Sequence, residues 1–404
     1  MNDEVAQNIG ALLAQRPAGR SLSRPFYADP HIFQYELENF VMRHWLCAVH
    51  ESRVPEVGDY FLVEVAAESV IIVRGKDRLL RAFANVCRHR GSRICRSESG
   101  NVSAFTCPYH AWTYNLDGGL RAARDMPADF DRRLYGLREL PLRVLHGLVL
   151  FSFADAPPAL DDVEKNLRAV CKPYGWSEAK IAHREIYSIA ANWKLAVENY
   201  VECYHCALSH PEFSRVHSNS EARSRIAELT AKMEARTAEL GLAIPCMDRW
   251  GLLASPGQEA TWSLRYALTR DAVTGSADGE AVAPLMGDFR DYDGGATFFH
   301  VGPLSFFLAY PDHGVMYRFV PRAAQRCDLE VCWLVHRDAV QGVDYDVDRL
   351  TWMWRVTSDA DKRIIEGNQA GVNSRYYAPG PLAVMEYLVP RFVDWYAQEM
   401  ASAG

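Results

Sequence analysis

Cys87-Arg88-His89-Arg90-Gly91 and Cys107-Pro108-Tyr109-His110-Ala111-Trp112, with 17 residues between His89 and Cys107, decide the reading of this chain. Each stretch pairs one thiol with one imidazole. Cys87 and His89 are two apart, so on an extended segment both side chains point the same way. Two thiolates on one iron and two imidazoles on the other form the ligand set of a mixed-ligand [2Fe–2S] centre. There the neutral imidazoles lower the negative charge and raise the reduction potential. A structural Cys2His2 zinc site is the alternative. Zinc sites place like ligands together, as C-x2–4-C followed by H-x3–5-H. The alternating order here favours iron–sulfur.

At 404 residues the chain has length for about two or three domains with buried cores. A hydrophobic content of 49% and a charged content of 24% are those of an ordinary globular protein. The net charge of −7 argues against nucleic acid or an anionic membrane as partner. The start, Met1-Asn2-Asp3-Glu4, lacks a basic stretch followed by an apolar one, and no apolar run approaches the ~18 residues of a membrane span. Ten cysteines are present, and two go to the cluster. The other eight (Cys47, Cys95, Cys171, Cys203, Cys206, Cys246, Cys327, Cys332) show no framework spacing, which predicts free thiols in a reducing cytoplasm.

Residues 1 to about 22 are polar and Ala-rich, which predicts a loosely ordered start. Residues 30–47 have a helical spacing of Phe33, Leu37, Phe40, Val41 and His44. From Gly58 the pattern is of strands: 61–65, 70–74 and 79–86, the last leading straight into Cys87. Asp117-Gly118-Gly119 marks a hairpin, and 142–153 a final strand pair. Ala156-Pro157-Pro158-Ala159 then marks a boundary. The division expected is an N-terminal segment 1–47, a small all-β unit 48–155 carrying the cluster, and a domain 156–404. In the last, helices are expected at 160–173, 193–209, 221–241, 344–371 and 381–400. Strands are expected at 183–190, 261–269, 297–301, 304–310, 314–320 and 328–336. Consecutive strands followed by helices predict an α+β domain, an antiparallel sheet with helices packed on it in a helix-grip-like manner.

A second donor set lies in that domain. Glu202 and His205 are i,i+3 neighbours on the expected helix. His210 falls about 140° further around an ideal helix, but it precedes Pro211, which disfavours α geometry there. The helix is expected to end near Ser209, freeing His210 to turn toward His205. Two His and one carboxylate make the facial triad of non-haem Fe(II) oxygenases. The carboxylate is expected on the late helix. Asp359 shares its face with Lys362, Arg363 and Glu366, a solvated stripe; Asp361 shares its face with Ile364, Ile365 and Asn368 and is taken as the third ligand. On pattern alone His205 and His210 read as core histidines; beside an iron–sulfur site they read as ligands.

The chain resembles the oxygenase (α) component of Rieske non-haem iron oxygenases from about residue 22 onward. The residues that carry the resemblance are Cys-x-His-Arg-Gly, Cys-Pro-Tyr-His-x-Trp, Asn192-Trp193-Lys194, Glu198-Asn199-x2-Glu202-Cys203-Tyr204-His205-Cys206-x3-His210-Pro211, and Asp361-x4-Glu366-x2-Gln369-x-Gly371. It implies a Rieske [2Fe–2S] cluster on Cys87, His89, Cys107 and His110 and a mononuclear Fe(II) on His205, His210 and Asp361. It also implies a head-to-tail homotrimer, in which Glu202 links His205 to His110 of the next chain. Most of that family has Asp at this position. Glu resembles the glycine betaine, stachydrine and carnitine oxygenase branch, as do 335–346 and Ala378-Pro379-Gly380-Pro381.

No Gly-rich dinucleotide fingerprint opens a βαβ unit, so NAD(P)H electrons require a separate ferredoxin or flavin reductase. Eight basic residues against Asp77 between 74 and 96 read either as a solvated run or as a docking face for such a partner. Cys203-x-x-Cys206 is taken as packing, and His217, His300, His313 and His336 as satisfied histidines, with pocket lining the alternative for His300. Trp250, Trp262, Phe298, Phe299, Phe306, Phe307 and Tyr310 are core or pocket, a cage for a quaternary ammonium or a slot for an aromatic ring. Arg265 is a candidate carboxylate anchor. The expected function is O2-dependent hydroxylation of a C–H bond, foremost oxidative N-demethylation of a small betaine-like compound. Aromatic ring or side-chain hydroxylation is the alternative, and a Rieske electron carrier the alternative of another class.

Overall fold

The computed structural model describes residues 2–245, 255–269 and 271–402. Trp250 and Cys246 lie outside the described residues. The cluster loops sit on an all-β unit. A five-stranded antiparallel sheet runs in the order 99–101, 59–65, 68–74, 80–84, 139–140, and a three-stranded sheet in the order 46–50, 148–151, 142–145. In a small third sheet, 105–106, 113–114 and 120–122, the second cluster loop joins the first two strands and the hairpin at Gly118, whose φ of +85° favours glycine, joins the last two. Cys87 and Cys107 are buried in a core of their own with Phe83, Phe105, Trp112 and Tyr114.

The rest is a six-stranded antiparallel sheet: β1 (Ala179–Ile189), β2 (Thr261–Ala267), β3 (Gly295–Val301), β4 (Ser305–Ala309), β5 (Gly314–Ala323) and β6 (Arg326–His336). The order is β1-β6-β5-β4-β3-β2, so β2 to β6 form a meander and β1 closes onto β6. A 26-residue helix, Val347–Val372, packs on it, with Leu350, Met353, Trp354 and Ile365 buried. The α+β expectation holds.

Apart from the helix expected over 193–209, three expectations differ in kind. Residues 2–14 form a helix, Asn2–Ala14, because Ile9 is buried, with Val5, Leu12 and Leu13 packed around it. The polar composition hid that apolar stripe. The helix expected over 30–47 stops at Asn39, and after a short turn Leu46–His50 joins the sheet. Phe40 and Val41 are fully buried, so their spacing reported the core and not a continued helix. The thiols of Cys203 and Cys206 are not free but joined in a disulfide.

The β unit and the sheet domain are clasped by charge. Glu330 on β6 is 3% exposed and is bound by Arg184 of β1 and Arg318 of β5; Arg184 reaches Glu98 of the β unit, and Arg53 of that unit pairs with Glu98 and lies 3.9 Å from Glu330. Burial alone would raise the Glu330 pKa, but Arg318 and Arg184 overcome it and hold the carboxyl down at about 2. A depressed acid contributes stability that is present above its unfolded value of 4.5 and lost as pH falls toward 2. Glu330→Gln is therefore expected to destabilise the fold at pH 7 by about 3 kcal/mol. The gap to the parent in denaturant titrations should close between pH 4.5 and 2.

Candidate functional site

Asn192 begins the second donor set. Its Oδ1 accepts from the Lys194 amide at 2.9 Å, capping helix α1 (Trp193–Tyr200), and its Nδ2 donates to the Ala324 carbonyl at 2.7 Å. Lys194 is fully buried against Glu36 at 2.5 Å. Helix α1 stops at Tyr200, not at Ser209 as the periodicity suggests. After a non-helical run, His205 precedes a single turn, α2 (Cys206–Ser209), and His210 breaks away at φ −144°, ψ 75° before Pro211.

Glu202 occupies the break. One carboxylate oxygen lies 2.5 Å from His205 Nδ1 and the other accepts from the Tyr204 amide. That leaves His205 Nε2 facing inward. Asp361, on helix α3 (Val347–Val372), places one oxygen 3.3 Å from His205 Nε2 and 3.1 Å from His210 Nε2. The two imidazole planes cross at 81°. The same helix pins α1, because Glu366 accepts from the Ala190 amide at 3.0 Å and Gln369 from the Asn192 amide at 2.8 Å. Two nitrogens and one oxygen thus converge from separate elements, a donor set suited to a divalent metal with positions left open. Burial would lower the His205 pKa, but the Asp361 and Glu202 carboxylates lift it to about 9. Burial would raise that of Asp361, and the two histidines hold it below its ordinary value. The same carboxylates that raise the His205 pKa would favour a bound cation at this place. Cys206 Sγ also belongs to the cluster of possible donors with His205 and His210, but it is bonded to Cys203.

In the β unit the two loops mirror each other. The Gly91 amide donates to the Cys87 carbonyl at 2.9 Å, and the Ala111 amide to the Cys107 carbonyl at 3.0 Å. The thiols are buried and the His89 and His110 rings exposed, their centroids 4.6 Å apart. His89 stacks on Trp112 at 4.9 Å, and the Tyr114 hydroxyl lies 3.3 Å from Cys87 Sγ. Buried sulfurs beside paired exposed imidazoles fit a [2Fe–2S] centre with a wet histidine side.

A cavity of about 760 Å³ opens over His205, His210 and Asp361. Trp262 and Phe298 of the aromatics singled out in the sequence line it, whereas Phe299, Phe306, Phe307, Tyr310 and His300 do not. His300 is buried, with Nδ1 3.1 Å from the Gly302 carbonyl, and burial lowers its pKa to about 4. Arg265 lines the cavity with its Nη2 ion-paired to buried Asp293, so its charge is already matched. Sequence reasoning missed Tyr200, Tyr317, Trp354 and Thr357. The last two were legible, since 354, 357 and 361 share one helical face. Among the basic run, Arg81 and Arg93 are paired with Asp77 and Glu64, while Arg88, Arg90 and Arg96 are exposed.

A thiol–imidazole pair of loops on a β unit and a His–His–carboxylate set beneath a helix-flanked sheet define an oxygenase of the Rieske class. Residues 44–141 match the family model described as Rieske [2Fe-2S] domain, and 176–402 that of the ring hydroxylating alpha subunit (catalytic domain). The chain belongs to this ring-hydroxylating alpha-subunit family. The glycine betaine monooxygenase oxygenase subunit of Pseudomonas aeruginosa is 36% identical over 400 residues, covering 96% of this chain and 91% of its own length. That of Chromohalobacter salexigens is 37% identical over 399 residues, covering 97% and 88%. The carnitine monooxygenase oxygenase subunit of Acinetobacter pittii is 28% identical, covering 87% and 85%. In structure the chain is similar to the quaternary ammonium Rieske monooxygenase CntA in complex with L-carnitine, with a TM-score of 0.69 at 23% identity over 96% of this chain and 98% of that one. At that identity the likeness is one of fold. The protein is thus an iron-dependent oxidoreductase, an oxygenase component with a Rieske cluster and a mononuclear iron that works with a separate reductase. Among the described residues no helix is long and apolar enough to cross a membrane.

Asn192→Ala removes the cap of α1, leaving the buried Lys194 amide and the half-buried Ala324 carbonyl unpaired. It is expected to cost about 2–3 kcal/mol in chemical denaturation.

Proposed function

We propose that this chain is the oxygenase component of a monooxygenase that N-demethylates a small quaternary ammonium compound. Cys87 and Cys107 bind one iron of the cluster and His89 and His110 the other; His205, His210 and Asp361 bind the mononuclear Fe(II). When bound, these groups supply electrons and activate dioxygen for C–H hydroxylation. Glu202 holds His205 Nδ1 and, in a head-to-tail homotrimer, links it to His110 of the neighbouring chain. The chain divides its labour as 1–47, 48–155 and 156–404. Electrons come from NAD(P)H through a ferredoxin or flavin reductase, in the cytoplasm, and the chain itself carries no dinucleotide fingerprint. Hydroxylation of an N-methyl group yields a carbinolamine, which collapses to formaldehyde and the demethylated amine.

The observation that carries the substrate class is the wall of the cavity. Tyr200 lies 4.7 Å from Tyr317 and 5.5 Å from Phe298, Trp262 lies 4.9 Å from Phe298, and Trp354 lies 6.2 Å from Tyr317. A quaternary ammonium cannot donate a hydrogen bond and binds to aromatic faces by cation–π attraction, worth ~2 kcal/mol or more once desolvated. The relatives named for glycine betaine and carnitine support the same class.

With reductase, NADH and a panel of betaines and aromatic acids, formaldehyde is expected to form in step with NADH consumption for a betaine. Tight coupling to an aromatic compound, with hydroxylated product and none from any betaine, would replace this reading with ring hydroxylation. Iron analysis is expected to give about three irons per chain, two in the cluster and one mononuclear; two alone would indicate an electron carrier. Glu202→Gln is expected to keep all three while losing roughly 10–100-fold in turnover. Loss of the mononuclear iron with turnover per remaining iron unchanged would make Glu202 a structural residue only.

A further inference from the structure

Cys203 and Cys206 bracket His205, and nothing in the proposed reaction uses them. Their Cα atoms are 4.9 Å apart and their sulfurs are joined. Both line the cavity; Cys206 is buried with Sγ 3.9 Å from His205 Nε2, and Cys203 is half-buried. The run between α1 and α2 does not need this bond as its only tie, because Glu202 already holds the Tyr204 amide and the His205 ring. With the disulfide closed, His205, His210 and Asp361 still converge. Oxidation of the pair therefore leaves the donors in place.

Dioxygen that takes up two electrons and two protons without a substrate leaves as hydrogen peroxide. Sulfur beside the metal donors is the first soft nucleophile it meets. A lone thiol there would pass from sulfenic to sulfinic and sulfonic acid, and thiols do not reverse the last two. A second thiol within reach stops the sequence at a disulfide.

We propose that Cys203 and Cys206 are a peroxide-consuming dithiol that guards the metal donors against uncoupled turnover. The Cys206 thiol attacks peroxide, the O–O bond breaks, and sulfenic acid and water form. The Cys203 thiol then attacks the Cys206 sulfur, the S–O bond breaks, and a disulfide and a second water form. The two thiols lose two electrons and two protons, and peroxide is reduced to two waters. An external dithiol restores the pair by exchange. Cys206 is the attacking sulfur because it is the one beside His205, and Cys203 resolves it. The proposal rests on the oxygenase reading for its source of peroxide, whereas the sulfur chemistry does not.

The test follows the sulfurs by mass. Trypsin cleavage after Lys194 and Arg215 releases fragment 195–215, which holds both cysteines and no other. Full-length, iron-loaded protein is reduced with dithiothreitol, freed of it, and treated in two arms before alkylation. One arm receives hydrogen peroxide alone; the other receives reductase, NADH and O2 without substrate, with and without catalase. The fragment is expected to carry two alkyl groups before treatment and none after either arm, being then two hydrogens lighter. Dithiothreitol should restore both groups, and catalase should block conversion in the second arm. In Cys203→Ser, Cys206 is expected to gain two or three oxygens that dithiothreitol does not remove. A wild-type fragment that keeps both alkyl groups under reagent peroxide overturns the proposal. That arm uses neither reductase nor substrate, so its failure is distinct from a failure to form formaldehyde. Conversion that catalase does not suppress, or a Cys206 that stays alkylatable in Cys203→Ser, overturns it equally.

Discussion

The helix break at 201–205 is the constraint on which the catalytic half of the molecule depends. An unbroken helix from Trp193 would advance 100° per residue and aim His205 and His210 at different neighbours. Ending α1 at Tyr200 frees Glu202 to fold back on the Tyr204 amide and the His205 ring, which selects Nε2 as the inward atom of that imidazole. Pro211 then forces His210 out of α geometry. The third donor arrives on a helix whose Glu366 and Gln369 grip the backbone just before α1. One rigid element therefore sets both the position of Asp361 and the start of the segment that carries the histidines.

The electrostatics follow from that convergence. Two imidazoles and two carboxylates share one place, where the Asp361 and Glu202 carboxylates raise the His205 pKa against burial and the two histidines hold Asp361 below its ordinary value. The clasp around Glu330 works by the same rule at a different place: a buried carboxylate is tolerated because guanidiniums from β1 and β5 surround it. Through Glu98 that network extends into the β unit that bears the cluster loops. Side-chain charge thus sets the relation between the two halves as well as the geometry within one of them.

Much of this is legible in the sequence. Ligand spacing singles out the four loop residues that the structure brings together, and β-rich runs predict the six strands of the sheet, because both signals are local. Asp361 was separable from Asp359 by helical face alone. What escaped depends on tertiary contact. Nothing between Trp193 and Ser209 is a glycine or proline, so the break that matters most has no local signal. The stretch 40–44 kept a helical spacing although it leaves the helix, since Phe40 is buried by Trp193 and Trp395, far away in sequence. The Cys203–Cys206 bond escaped for a related reason: on a continuous helix the pair reads as packing, and only the loop brings the sulfurs together.

The cavity carries the same economy of charge to the ligand. An Fe(II) held by the Asp361 carboxylate would retain positive charge, and the Glu202 carboxylate, hydrogen-bonded to His205, would offset it. A cation approaching the open side then meets a site close to neutral, walled by the faces of Tyr200, Phe298, Tyr317 and Trp354. Arg265, the guanidinium nearest in kind to a carboxylate anchor, has its own counter-ion in Asp293 and adds little net repulsion. A neutral aromatic compound would find the same walls but would gain none of the cation–π attraction they offer a quaternary ammonium. The discrimination between the two substrate classes would therefore lie less in the shape of the slot than in what its ring faces offer a cation.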